Sequence, residues 1–137
     1  MKTLHRFSLL LCLFATLSFA ACGDDDDVDP NEETNNRLEG EWEVDSWTVD
    51  GVEVMGSLVT SFDMEYEKQG PTDGEVEWTI IGGNGATSRV DGDYDIENSG
   101  TEIDIDGDDF DIEIDGDDLE LSGTVNAERW VIEAERD

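Results

Sequence analysis

Basic residues, histidine and cysteine are almost missing from this 137-residue chain. It has seven Lys plus Arg against 38 Asp plus Glu, one His and two Cys, with a formal net charge of −31. The single His5 and one of the two cysteines, Cys12, fall in an N-terminal stretch that reads as a cleaved leader. That stretch has a charged start at Lys2 and Arg6, an uncharged apolar run over residues 7–21, and small residues before position 22. Cleavage after residue 21 of 137 leaves 116 residues. Lys2 and Arg6 leave with it, so the basic count falls from 7 to 5 and the formal charge moves from −31 to −33.

Each scarcity excludes something. Without His, no Ser-His-Asp or Cys-His catalytic arrangement and no His-ligated zinc is available. With one remaining cysteine, Cys22, no internal disulfide forms, although an exported compartment permits one. So few basic residues exclude nucleic acid as a partner, because phosphate neutralisation requires Lys and Arg. They also exclude docking on anionic lipid surfaces. No apolar run reaches the ~20 residues that a membrane-spanning helix needs. No Gly-rich phosphate loop precedes a helix. A glycosidase-like carboxylate pair is conceivable chemically, but 38 acids nominate no particular two. The expectation is a protein that is not an enzyme.

What the chain does have is a period-two pattern from Leu38 onward. Trp42 and Val44 alternate with acids. Trp47 and Val49 follow in a shifted phase, which predicts a bulge near Asp45-Ser46. Asp50-Gly51 is a hairpin signal, with Val52 and Val54 beyond it. Alternation returns at Phe62-Met64-Tyr66, at Val76-Trp78-Ile80, at Val90-Tyr94-Ile96 and at Ile103-Ile105. It continues at Phe110-Ile112-Ile114, at Leu119-Leu121 and at Trp130-Ile132-Ala134. Between these runs lie Gly- and Asp-rich turns, including Asp106-Gly107, Asp115-Gly116 and one at Gly123. Residues 55–59 are assigned a short helical turn; no segment has sustained helical periodicity. The pattern predicts an all-β, antiparallel up-and-down meander of about eight strands that closes into a barrel or half-open calyx. Residues 22–37, acidic and without apolar periodicity, are expected to be a disordered tether. The predicted organisation is thus a leader over 1–21, a tether over 22–37 and one β domain over 38–137, with a monomer favoured.

Three resemblances follow from these residues. Phe19-Ala20-Ala21-Cys22-Gly23 resembles the lipobox of bacterial lipoproteins, with Phe19 where Leu is usual. It implies lipid attachment at Cys22 and a membrane partner reached through that anchor. Asp24 to Asp27, directly after it, resemble an export signal of some Gram-negative lipoproteins. They imply an outer-membrane location, periplasmic or surface-exposed. Gly40-Glu41-Trp42, Gly92-Asp93-Tyr94-Asp95-Ile96, Leu119-Glu120-Leu121-Ser122 and Arg129-Trp130-Val131-Ile132 resemble the lipocalin-like domains of small bacterial lipoproteins. That resemblance implies an eight-stranded barrel or calyx.

An eight-stranded barrel is filled by side chains or holds one small ligand. Trp42, Trp78, Tyr94 and Trp130 are the residues expected to line or plug that interior, around a small apolar ligand. The competing reading is a structural or interaction protein of the cell surface, with a filled barrel and an acidic face that engages cations.

One metal motif needs weighing. Glu102-x-Asp104-x-Asp106-Gly107-x₅-Glu113 has nearly the spacing of a calcium-binding helix-loop-helix, but it sits within strand alternation. A looser Ca²⁺ site would draw on Asp106, Asp108 and Asp109 of one turn and Asp115, Asp117 and Asp118 of the next. The alternative for both turns is solvated acid. No cofactor is otherwise expected.

Overall fold

The structure is a computed structural model that describes residues 28–137. The leader, Cys22 and residues 24–27 lie outside the described residues. The chain enters through a helix, α1 (Pro30–Leu38). Nine strands follow: β1 (Gly40–Val49), β2 (Val52–Glu53), β3 (Val59–Lys68), β4 (Asp73–Gly82) and β5 (Thr87–Glu97), then β6 (Glu102–Ile105), β7 (Asp108–Asp115), β8 (Asp118–Val125) and β9 (Glu128–Arg136).

Each strand from β3 to β9 pairs antiparallel with the next, and β1 pairs with both β3 and β9, so the meander closes. Eight strands make the wall. The two-residue β2 continues the β3 side of β1, where Val49 and Val52 flank the Asp50-Gly51 turn. The predicted bulge in β1 is present: the register against β9 shifts between Val44 and Ser46. It turns Trp47 back toward the interior, where it packs on the core. Residues 55–59 form a turn with one helix-type bond, from the Leu58 N–H to the Val54 carbonyl at 3.0 Å, and a bridge between Met55 and Val59.

The alternation works as the period requires. Trp42, Val44, Phe62, Met64, Tyr66 and Val76 point inward and are buried, and the series continues through Ile132 and Ala134. The residues between them face water, and most are acids. Glu41 stands opposite Glu65, Glu65 opposite Glu77, and Glu77 opposite Asp91. Around the wall, Asp104 faces Asp109 and Glu113 faces Glu120, which in turn faces Glu133. Like charges directly opposite one another destabilise a sheet. The described residues answer this ring with few ion pairs, such as Arg89 with Glu77 at 3.3 Å.

Two expectations are corrected. The tether over 22–37 gives way at Pro30 to α1. Asp29 caps the helix by accepting from the Asn31 N–H at 2.9 Å, Pro30 opens it, Glu32 and Glu33 sit in its first turn and Arg37 in its last. These are favourable positions for a helix dipole and its free N–H groups. Only Asn35 and Leu38 are buried, so no apolar stripe betrays the helix. The turn expected at Gly123 lies instead at Asn126-Ala127. Gly123 is inside β8, opposite Trp130 of β9, where a Cβ would meet the Phe110 ring at 2.9 Å.

Two measurements follow. Asn126 and Ala127 both take positive φ, 51° and 68°, in a two-residue hairpin that demands it. Left-handed backbone is strained for Ala, so Ala127→Gly should raise unfolding free energy by about 1 kcal/mol in urea titration. The acidic ring predicts that the melting midpoint climbs by roughly 5 °C or more from low to 0.5 M NaCl; a flat response would contradict an energetic role for the repulsion.

Candidate functional site

The two ends of the barrel differ. One end is sealed by α1. Asn35, fully buried, directs Nδ2 at the carbonyls of Gly70, Pro71 and Asp73 (3.1–3.2 Å), while its Oδ1 accepts from the Tyr94 hydroxyl at 2.7 Å. Thr34 Oγ1 donates to the Gly100 carbonyl at 3.0 Å, and the Gly100 N–H donates to Asn31 Oδ1. Trp42 Nε1 donates to the Leu38 carbonyl at 2.8 Å, and the Arg136 guanidinium lies 4.3 Å from the Trp42 ring centre. Burial pushes the Tyr66 and Tyr94 phenols well above their ordinary range, so both stay neutral donors. Trp42 and Tyr94 therefore belong to the plug.

Toward the other end the interior is aromatic. Trp47 meets Trp130 edge-on at 5.0 Å and Phe62 at 5.3 Å; Phe62 meets Trp78 at 5.4 Å, and Trp78 meets Phe110 at 6.5 Å. The indole N–H groups of Trp47, Trp78 and Trp130 are shut off from water yet have no acceptor. A buried donor left unmade costs about 1–3 kcal/mol. This cluster is the least satisfied part of the core.

Beside it the wall opens. β5 has 11 residues and β6 only four. Pairing runs from Tyr94 opposite Ile105 to Glu97 opposite Glu102. The first half of β5 therefore pairs with β4 alone. A cavity of about 230 Å³ occupies the resulting gap. Val76, Trp78, Ile80, Ile105, Phe110 and Trp130 form its interior walls, with Val125. Val90, Gly92, Asp106 and Asp108 stand around its mouth. Val90 is 49% exposed although it shares the inward phase of Tyr94 and Ile96. Grooves on the outer wall are wider, about 430 Å³ for the one along Glu65, Glu67, Glu75 and Glu77, but they are floored by carboxylates. The dry concavity is the one beside the β5 gap. Among the four residues expected to surround a ligand, Trp78 and Trp130 line it, while Trp42 and Tyr94 do not.

The six turn aspartates do not converge. Asp106, Asp108 and Asp109 lie at the β6–β7 turn, at the cavity end. Asp115, Asp117 and Asp118 lie at the β7–β8 turn, at the plug end, where Asp117 is 3.8 Å from the Arg136 guanidinium. Asp106 Oδ1 already accepts from the Asp93 N–H at 3.1 Å, and Asp104 Oδ1 accepts from Gly107 N–H at 2.8 Å. Desolvation, then the carboxylates of Asp104 and Glu102, raise the Asp109 carboxyl above its ordinary value. Among the described residues, no three such side chains gather as a metal site. The segment with calcium-loop spacing is strand, two-residue turn and strand.

No protein-family model and no curated protein matches the chain. Solved structures do match in fold. A redesigned β-barrel aligns with 76% of this chain and 95% of its own, at TM-score 0.59 and 15% identity. The siderocalin Ex-FABP, described as functioning through dual ligand specificities, aligns over 74% of each chain at TM-score 0.58 and 7% identity. A redesigned β-barrel bound to DFHBI aligns over 75% of this chain and 98% of its own, at TM-score 0.56 and 13% identity. The chain is an all-β, antiparallel, closed eight-stranded barrel of the lipocalin-like kind.

The two ends make opposite predictions for the indoles. Trp42→Phe removes the indole donor from the Leu38 carbonyl and should cost about 1–3 kcal/mol in urea unfolding. Trp47→Phe should cost less, because it discards a donor that has no acceptor.

Proposed function

We propose that this protein is a noncatalytic, lipocalin-like binding module that holds a small apolar ligand in the cavity beside β5. It is anchored at the bacterial outer membrane through lipid on Cys22. The observation that carries the reading is the apolar cavity of about 230 Å³ lined by Trp78 and Trp130, two indoles whose donors have no acceptor. Ligand sites are concave, mostly apolar and carry few polar groups. At this volume, below the ~300–1,000 Å³ usual for drug-sized guests, the ligand is small. The indole nitrogens are closed to water, so a guest that satisfies one must turn its ring, and its arrival should register in tryptophan emission. Barrels of the same fold, one of them bound to DFHBI, support a cavity of this kind as a binding site. The anchor rests on the lipobox-like residues around Cys22.

The test is N-phenyl-1-naphthylamine, a neutral apolar dye, titrated into the purified protein. Binding should saturate with a blue shift, and Val90→Trp, which places a ring across the mouth without touching the plug, should weaken it about tenfold or more. No binding, or equal binding to both proteins, would remove the cavity from consideration. For the anchor, radiolabelled fatty acid should enter the protein in Gram-negative cells and be absent from Cys22→Ser.

A further inference from the structure

We infer that the cavity selects cationic amphiphiles, small molecules with an apolar body and a protonated amine, and admits them sideways through the wall. This rests on the ligand-binding reading above and adds the charge and the route of the guest.

The route follows from the strands. The plug end is closed by α1 and its bonds to residues 70–73 and 100. The mouth lies between the unpaired first half of β5 and the β6–β7 turn. A guest crossing there passes Val90 and Gly92 on one side and Asp106 and Asp108 on the other.

The charge follows from the rim. The interior walls are aliphatic and aromatic, whereas the ionised groups at the mouth are two carboxylates. Gly92 makes room for one of them: a Cβ at that position would lie 2.5 Å from Asp106 Oδ2. The Asp93 N–H holds the other oxygen of that carboxylate at 3.1 Å, so Oδ2 is fixed over β5 at the rim with no hydrogen bond of its own among the described residues. An apolar body seated against Trp78, Phe110 and Trp130 leaves its head group at these two aspartates. An ammonium there gains both carboxylates, and lies near aromatic rings that also favour cations. A carboxylate or sulfonate in the same place meets two like charges in a chain of net charge −31. The rim therefore discriminates by sign, while the interior supplies non-selective apolar burial.

Three molecules of one shape separate these contributions: 1-naphthylmethylamine, 1-methylnaphthalene and naphthalene-1-carboxylate, titrated calorimetrically at pH 7 and low salt. The amine should bind about tenfold or more tightly than the neutral hydrocarbon, and the carboxylate most weakly. Because the whole chain attracts cations, the decisive comparison is positional. Asp106→Asn with Asp108→Asn should abolish the amine's advantage while leaving 1-methylnaphthalene unchanged; the side-chain amide introduced by D106N keeps an acceptor for the Asp93 N–H. Asp115→Asn with Asp118→Asn, at the plug end, should preserve the advantage. An equal loss in both double variants, or an amine no tighter than the hydrocarbon, would overturn the selectivity and leave the apolar site standing. If none of the three binds, the ligand-binding reading itself fails.

Discussion

Closure of β1 onto β9 is the constraint on which everything else depends. The outer face of this barrel carries acid opposite acid along most of its ladders, from Glu41–Glu65 to Glu120–Glu133. An open sheet of such strands would bury one face weakly and repel along the other. Joining Trp42–Val49 to the last strand instead wraps the apolar face into a single core, in which Phe62, Leu121 and Ile132 are almost wholly buried. Burial of this kind contributes roughly 25 cal/mol per Å² of apolar surface, against exposed repulsions that water and salt weaken. The strand period makes the division possible, because it separates neighbouring residues onto opposite faces at every step.

Closure leaves two ends, and the chain treats them differently. At one, a short polar helix is held by hydrogen bonds rather than by an apolar stripe. Asn35 is its centre, joining the 70–73 loop to the Tyr94 hydroxyl. A buried amide is stabilising only when its donors and acceptor are all engaged, and here they are. At the other end the indoles are packed but unpaired. Polar groups are satisfied at the plug, whereas the aromatic cluster keeps three buried donors without acceptors.

The sequence showed the wall far better than the plug or the gap. Alternation at Phe62-Met64-Tyr66 or Phe110-Ile112-Ile114 reports burial directly, since each inward residue is large and apolar. The phase change after Val44 located the bulge for the same reason. α1 was hidden because its buried face is one amide and one leucine; only Asp29-Pro30 and the following Glu32 and Glu33 signalled a helix start. The Asn126-Ala127 turn was missed because Ala is a poor turn former, and Gly123, chosen instead, serves the packing of Phe110. Among the candidate ligand residues, Trp78 and Trp130 reached the cavity, whereas Trp42 and Tyr94 looked identical in pattern and ended under the helix. Alternation assigns a side chain to the interior but gives no height along the barrel axis; height depends on register and stagger, which are properties of the closed wall.

The gap is itself a matter of strand length. Asp106-Gly107 turns the chain after only four residues of β6, while β5 is 11 residues long. The free half of β5 is an edge, and exposed edges invite pairing with other chains. Here that edge carries Arg89, Asp91 and Asp93 on its outward positions and faces the carboxylates of the β6–β7 turn. Charge of this kind discourages a second strand from docking. The same carboxylates stand at the wall opening that leads to the aromatic interior. In the proposed reading one placement of acid serves two ends: it protects an edge that the short β6 leaves unpaired, and it sets the sign of the guest that passes beside it.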